Sequence, residues 1–168
     1  CDWGTTTLRT RLVDTQNNQI IHQGTFRNGV SYVFEEWRNN HASSDADCRL
    51  RFYLSNLKSR LDKLVADVDV AGIPVVISGM ASSNVGIKEL QYADLPFSLS
   101  GCDAIIDRIE ASADFNHPVF ILSGVRDGGE VMRGEETQLS GLKDIIESLT
   151  EADNVTVVLP GTHSKHVN

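Results

Sequence analysis

The stretch that most constrains this chain is its opening, Asp2-Trp3-Gly4-Thr5-Thr6-Thr7-Leu8-Arg9. An acidic residue, a glycine and three hydroxyls are packed into a space that only a tight turn can use, and an apolar, alternating segment follows. Such a turn suits the phosphates of a nucleotide. Gly4 lets the backbone come close, and Thr5, Thr6 and Thr7 offer hydroxyl and N–H donors to phosphate oxygens. Asp2 offers a carboxylate to Mg²⁺, a hard cation that takes oxygen ligands together with the phosphates it accompanies. The common P-loop is excluded, because no Gly-Lys-Ser/Thr follows and no helix is signalled there. The plainer reading is a strand, a glycine turn and a second strand, with the threonines chosen as good β-formers.

Around this turn the sequence predicts an α/β chain. Leu8–Val13 and Gln19–Phe26 read as a hairpin across the polar run at 14–18, closed by Gly29. Val30–Asn40, with Tyr32, Phe34 and Trp37, reads as a short helix or a packed loop. Ser44 is the expected N-cap of the next element. That element is a helix over 45–70, because Leu50, Leu54, Leu57, Leu61, Leu64 and Val68 recur every three or four residues, with Gly72 as its stop. Ile73–Ile77 and His117–Leu122 read as buried strands. A helix is expected over Cys102–Ala111, a loop over Ser123–Gly129, and a further helix from about Glu135 through Leu149. Asn154–Leu159 reads as a last strand. Strands mixed with helices, and a hairpin only at the front, imply a mixed sheet flanked by helices.

With 168 residues and 40% apolar content the chain can bury one core. A net charge of −8 argues against binding a nucleic-acid backbone. Three widely spaced cysteines form neither a zinc pattern nor a disulfide framework, which points to a reducing, cytoplasmic setting. No apolar run reaches the length of about 18 residues that a membrane span needs.

Four polar, glycine-containing segments border predicted strands: Asp2–Arg9, 79–86, 133–138 and 161–165. Small and hydroxylic residues directly after a buried strand place a loop where ligands of α/β sheets usually sit. Together these segments carry a resemblance. Asp-Trp-Gly-Thr-Thr-x-Leu-Arg, Gly-Met-x-x-Ser-Asn-x-Gly, Met-Arg-Gly-Glu-Glu-Thr-Gln-Leu and Pro-Gly-Thr-His-x-Lys are similar to those of the 2-dehydro-3-deoxygalactonokinase family, from Asp2 to Val167. The octet from Met132 to Leu139 is the most specific of them. Ile87 and His166 depart from the pattern, standing where tryptophans are expected.

The resemblance implies an actin-like, ribonuclease H-like fold of two lobes, ATP and Mg²⁺ as cofactors, and phosphorylation of a 2-keto-3-deoxy sugar acid at its terminal hydroxyl. It implies that residues 1–150 form the first lobe, that 151–168 open the second, and that the chain is part of a longer protein. A homodimer is left open. Two other readings stay in view: a phosphohydrolase of the exopolyphosphatase type, which shares an Asp-x-Gly-Ser/Thr turn followed by Arg, and a non-catalytic actin-like domain that senses sugar.

Roles follow for individual residues. Glu135 is the candidate general base, with Glu136 its close rival; the plainer reading is an ordinary acidic first turn. Arg133 and Arg9 are candidates for the substrate carboxylate or the transferred phosphoryl group, or else are surface ion pairs. Ser82, Ser83 and Asn84 could bond sugar hydroxyls or simply cap their own turn. Gly161, Thr162, His163 and Lys165 would meet nucleotide phosphates in a second phosphate loop. Asp2 would hold Mg²⁺ through water.

Overall fold

The computed structural model describes residues 1–40, 45–65, 68–148, 155–160 and 164–167. Its centre is a two-residue strand, β1 (Asp2–Trp3), which pairs antiparallel with β2 (Leu8–Asp14). β2 returns through β3 (Gln19–Phe26), giving the expected hairpin with one register shift between Leu12 and Val13. Leu8 and Thr10 are buried while Arg9 and Arg11 face solvent, as the pleat of a half-buried strand requires.

Two helices follow, α1 (Val30–Asn40) and α2 (Ala46–Leu64). The chain enters α1 directly against the opening turn. Gly29, Val30 and Ser31 donate their N–H groups to the carbonyls of Thr6, Gly4 and Thr5 at 3.1, 3.0 and 3.1 Å. These are the donors that a helix start leaves without intrahelical partners. Val30 and Val33 of α1 and Tyr53, Leu54 and Leu57 of α2 close over Trp3, Leu8, Ile77, Val119 and Ile121 to make the core.

Three predicted boundaries differ in this half. The N-cap of α2 is Asp45, whose carboxylate accepts from Asp47 N–H; Ser44 lies outside the described residues. α2 stops at Leu64 rather than near Gly72, because Val65 leaves helical geometry (φ −119°, ψ 27°) while its N–H still bonds Leu61. The strand expected at Ile73–Ile77 is β4 (Val75–Gly79), shifted two residues along.

β4 runs parallel to β1, pairing Asp2 with Ser78 and Trp3 with Gly79, and ends in a single 3₁₀ turn, Met80–Ser82. After β5 (Ala93–Asp94) comes β6 (Ile106–Ile109), where a helix was expected over Cys102–Ala111. Ile105, Ile106 and Ile109 have helical spacing, but pairing with the sheet overrides it: Ile106 to Ile109 lie antiparallel to β7 (Val119–Leu122). β7 in turn lies parallel to β4, and the six-stranded sheet has the order β3-β2-β1-β4-β7-β6.

The loop expected at Ser123–Gly129 is instead a hairpin, β8 (Val125–Asp127) and β9 (Glu130–Met132), joined by β5 into a three-stranded sheet. The single helix expected through Leu149 is two short ones, α3 (Glu135–Gly141) and α4 (Lys143–Ser148), broken at Leu142; Leu149 itself lies outside the described residues. β10 (Val157–Leu159) and β11 (Lys165–Val167) form a separate two-stranded sheet. Among the described residues no helix is long and apolar enough to cross a membrane.

Candidate functional site

β1 and β4 run side by side and end together, so the turns that follow them open at one end of the sheet. In the first turn Gly4 N–H donates to Thr7 carbonyl at 2.9 Å. Thr5 and Thr6 are exposed, and their carbonyls are spent on the start of α1. Asp2 is half-exposed, and its Oδ2 takes Arg9 Nη1 at 2.9 Å from the neighbouring strand. So partly exposed a pair contributes little stability, about 0–1 kcal/mol.

Gly79 is the junction. Its φ of 90° and ψ of −147° belong to glycine alone. A methyl group there would stand 2.8 Å from Trp3 carbonyl oxygen and 3.4 Å from Asp2 Oδ1. On Gly134, which caps α3 at φ 108°, a methyl group would stand 3.4 Å from Gly79 Cα. Backbone thus packs on backbone, and two segments 55 residues apart (134 less 79) bring Asp2 and the start of α3 to one place.

The two glutamates that follow have different surroundings. Glu135 is half-buried, and its Oε2 accepts Arg133 N–H at 2.8 Å. Glu136 is buried; its Oε2 accepts Gly134 N–H at 2.7 Å and its Oε1 the Thr137 hydroxyl at 3.2 Å. Burial pushes the Glu136 carboxyl above its ordinary value of 4.5; those hydrogen bonds oppose the rise, and the Glu135 charge adds to it. The folded protein therefore holds this proton to higher pH than the unfolded chain does. The associated stability is complete below the ordinary value of 4.5 and is lost as pH rises through the raised one. Glu136→Gln, which retains an acceptor for Gly134 N–H, is expected to flatten that decline in urea titrations run upward from pH 4.5.

Arg133 lies with its Cζ 4.4 Å from the centroid of the Tyr92 ring. Its Nε is buried and, among the described residues, has no hydrogen-bond partner.

Ser82 and Ser83 are buried, and their hydroxyls donate to Gly79 and Met80 carbonyls at 3.3 and 2.7 Å. That geometry caps the turn, while Asn84 is exposed. Sequence reasoning missed what pins this loop. Arg49 Nη2 donates to Asn84 carbonyl at 2.6 Å and Tyr53 hydroxyl to Val85 carbonyl, also at 2.6 Å. The Arg49 guanidinium lies over Phe34, Trp37 and Tyr53 at 5.2, 5.5 and 5.8 Å. The only signal was the aromatic run 32–37, which carries no functional pattern by itself. Arg49→Ala is expected to cost about 2 kcal/mol from the lost hydrogen bond and ring contacts, read as a lower urea midpoint at unchanged slope.

Lys165 is paired with Glu130 of β9, and Gly161, Thr162 and His163 lie outside the described residues. Ile87 is part of the core, while His166 sits exposed on β11 opposite Val158. Among the described residues no three His, Cys, Asp or Glu side chains gather as a metal cluster.

A hairpin leading into parallel strands, with glycine turns grouped where β1 and β4 end, defines an α/β protein of the actin-like class. Residues 2–168 match the 2-keto-3-deoxy-galactonokinase family, and the chain belongs to it. It is 39% identical over 101 residues to a protein of Rhizobium meliloti strain 1021 named a probable 2-dehydro-3-deoxygalactonokinase, DgoK1, covering 58% of this chain and 31% of that protein. It is 37% identical over 98 residues to the 2-dehydro-3-deoxygalactonokinase of Escherichia coli K12, covering 56% of this chain and 30% of that one. A crystal structure of a protein assigned as a 2-dehydro-3-deoxygalactonokinase, from Sinorhizobium meliloti, superimposes with a TM-score of 0.69 at 27% identity over 99% of this chain and 48% of its own. The chain thus spans about half of the solved relative, and its matches span about a third of the curated ones.

Proposed function

We propose that this chain supplies the sugar-acid side of a kinase that phosphorylates 2-dehydro-3-deoxygalactonate at its terminal hydroxyl, using Mg-ATP. The observation that carries the reading is the Gly79–Gly134 junction, which sets a carboxylate beside a phosphate-type turn on one side and an Arg-Gly-Glu-Glu helix start on the other. Family membership supports it.

In this reading the exposed Thr5 and Thr6, with Gly4 and Thr7, receive the phosphates. A single carboxylate suits Mg²⁺, which keeps several waters and arrives with the phosphates, so Asp2 fits as its contact through water. When bound, the metal neutralises charge on the phosphate oxygens. Arg9, tied to Asp2, belongs with the transferred phosphoryl group. Arg133, carried on a ring and not on a carboxylate, belongs with the acid group of the sugar. Glu135 is the base because it is the more open of the two glutamates. The substrate hydroxyl oxygen bonds to the γ-phosphorus, the bond to the β,γ-bridging oxygen breaks, and the proton passes to Glu135. Ser82, Ser83 and Asn84 shape the sugar side, Asn84 being the exposed one. Residues 1–150 make up this lobe. The separate β10–β11 sheet supports a second lobe opening within 151–168, to whose nucleotide phosphates Gly161, Thr162, His163 and Lys165 are assigned from the sequence.

The test is ADP release by the full-length protein with Mg-ATP and a panel of 2-keto-3-deoxy sugar acids. Turnover on the galactonate, with little on the gluconate, is expected. Polyphosphate hydrolysis without sugar-acid turnover would move the chain to the phosphohydrolase reading.

A further inference from the structure

Three residues that no sequence motif groups together stand in one row. Tyr92 directly precedes β5, Gly124 directly precedes β8, and Arg133 directly follows β9. The register aligns them: Ala93 is paired with Val125 and Val125 with Met132, so the next row at that end is Tyr92, Gly124 and Arg133. Ala93 N–H closes the row onto Gly124 carbonyl at 2.9 Å. The ring lies close against Gly124: a methyl group there would stand 2.9 Å from Tyr92 Cε1 and 2.4 Å from Met132 carbonyl oxygen. Any larger residue would displace the ring from beneath the guanidinium.

The contact at 4.4 Å is the shortest of the cation–ring contacts among the described residues, the others lying between 5.2 and 5.8 Å. A guanidinium held through its face keeps its in-plane N–H donors for something else, whereas a salt bridge would have used them. The buried Nε without a partner fits that arrangement, since buried donors are nearly always paired. A planar fork of this kind matches a carboxylate in a way that a neutral hydroxyl or amide cannot reproduce. The row is joined to the rest of the site through Gly134, the next residue, which packs on Gly79.

We propose that Tyr92 is a specificity-setting, positioning residue: its ring, seated on Gly124, holds the Arg133 guanidinium to receive the carboxylate of the sugar acid. The inference rests on the kinase reading above and adds to it the residue that makes the acid group a requirement. Tyr92 touches Arg133 and not the reacting atoms, so its removal is felt in substrate recognition more than in the chemical step.

The experiment is steady-state kinetics on the full-length protein with 2-dehydro-3-deoxygalactonate and with its neutral primary amide, alongside a KM for ATP. Tyr92→Leu is expected to raise the KM for the acid by about tenfold, to leave the KM for ATP within about a factor of two, and to shrink the preference for acid over amide. Tyr92→Phe keeps the ring and is expected to rescue all three. Should Tyr92→Leu fail to fold, Arg133→Lys, which keeps the charge but loses the planar fork, is expected to show the same loss of preference. An unchanged acid KM in Tyr92→Leu, or Tyr92→Phe as impaired as Tyr92→Leu, would overturn the inference while leaving the kinase standing. An unchanged acid preference in Arg133→Lys would do the same. A wild-type protein with no turnover on any sugar acid would overturn the kinase reading and this inference together.

Discussion

Glu135→Gln is expected to lower kcat by about 10²- to 10⁴-fold, the range that loss of a positioned general base produces. The KM for ATP should stay within about a factor of two, because the residues assigned to the phosphates lie on the other side of the Gly79–Gly134 junction. Glutamine has the shape of glutamate, and its side-chain oxygen can still accept the Arg133 N–H that Glu135 accepts at 2.8 Å. The helix start therefore survives and only the proton acceptor is lost. Glu136→Gln is the matched comparison. Glu136 is 3% exposed, and both of its oxygens are engaged, by Gly134 N–H and the Thr137 hydroxyl. Those bonds tie it to the turn at the start of α3. Turnover should survive in Glu136→Gln and vanish in Glu135→Gln, read as ADP release in single-turnover and steady-state assays. The reverse pattern would exchange the two roles.

The contrast between those neighbours was not legible in the sequence. An acidic pair after Arg-Gly signals a helix start, and either glutamate fits a catalytic carboxylate. Which one is buried depends on where Gly134 packs, and that is set by Gly79, far away in the chain. The first hairpin was legible because Leu8 and Thr10 alternate with Arg9 and Arg11 around an Asn-rich turn, a local pattern that tertiary contacts only reinforce. The end of α2 was not, because Val68 continues the spacing of Leu61 and Leu64 beyond the point where the backbone has left the helix. β6 was read as a helix for a related reason. Cys102, Ile105, Ile106 and Ile109 satisfy the helical period, and only pairing with β7 decides otherwise. At the candidate site, Asp2, Arg133 and Glu135 stand out in the sequence because they lie in motifs. Tyr92 and Arg49 lie in no motif, and only register and packing show what stands beside them.

The junction makes the second large prediction. Gly79→Ala is expected to cost about 3 kcal/mol, from two sources. One is a backbone conformation that a side chain rarely adopts, about 1–3 kcal/mol. The other is a methyl group forced into a filled space, again about 1–3 kcal/mol. That space is bounded by backbone, Trp3 carbonyl oxygen at 2.8 Å, so no flexible side chain can move aside to relieve it. Relief must come from separating β1 from β4, which moves Asp2 away from the Gly79–Gly134 junction. The variant should therefore lose more activity than its population of folded protein accounts for. Gly72→Ala is the control that separates the two sources. Gly72 also has a positive φ, 74°, but a methyl group there meets nothing within 4 Å. Its cost should be that of the left-handed backbone alone, about 1 kcal/mol, with activity kept. Urea midpoints at unchanged slope measure both. Equal losses in the two variants would mean that the crowding at Trp3 contributes nothing, and the reading of Gly79 as a tight junction between β1 and β4 would have to be abandoned.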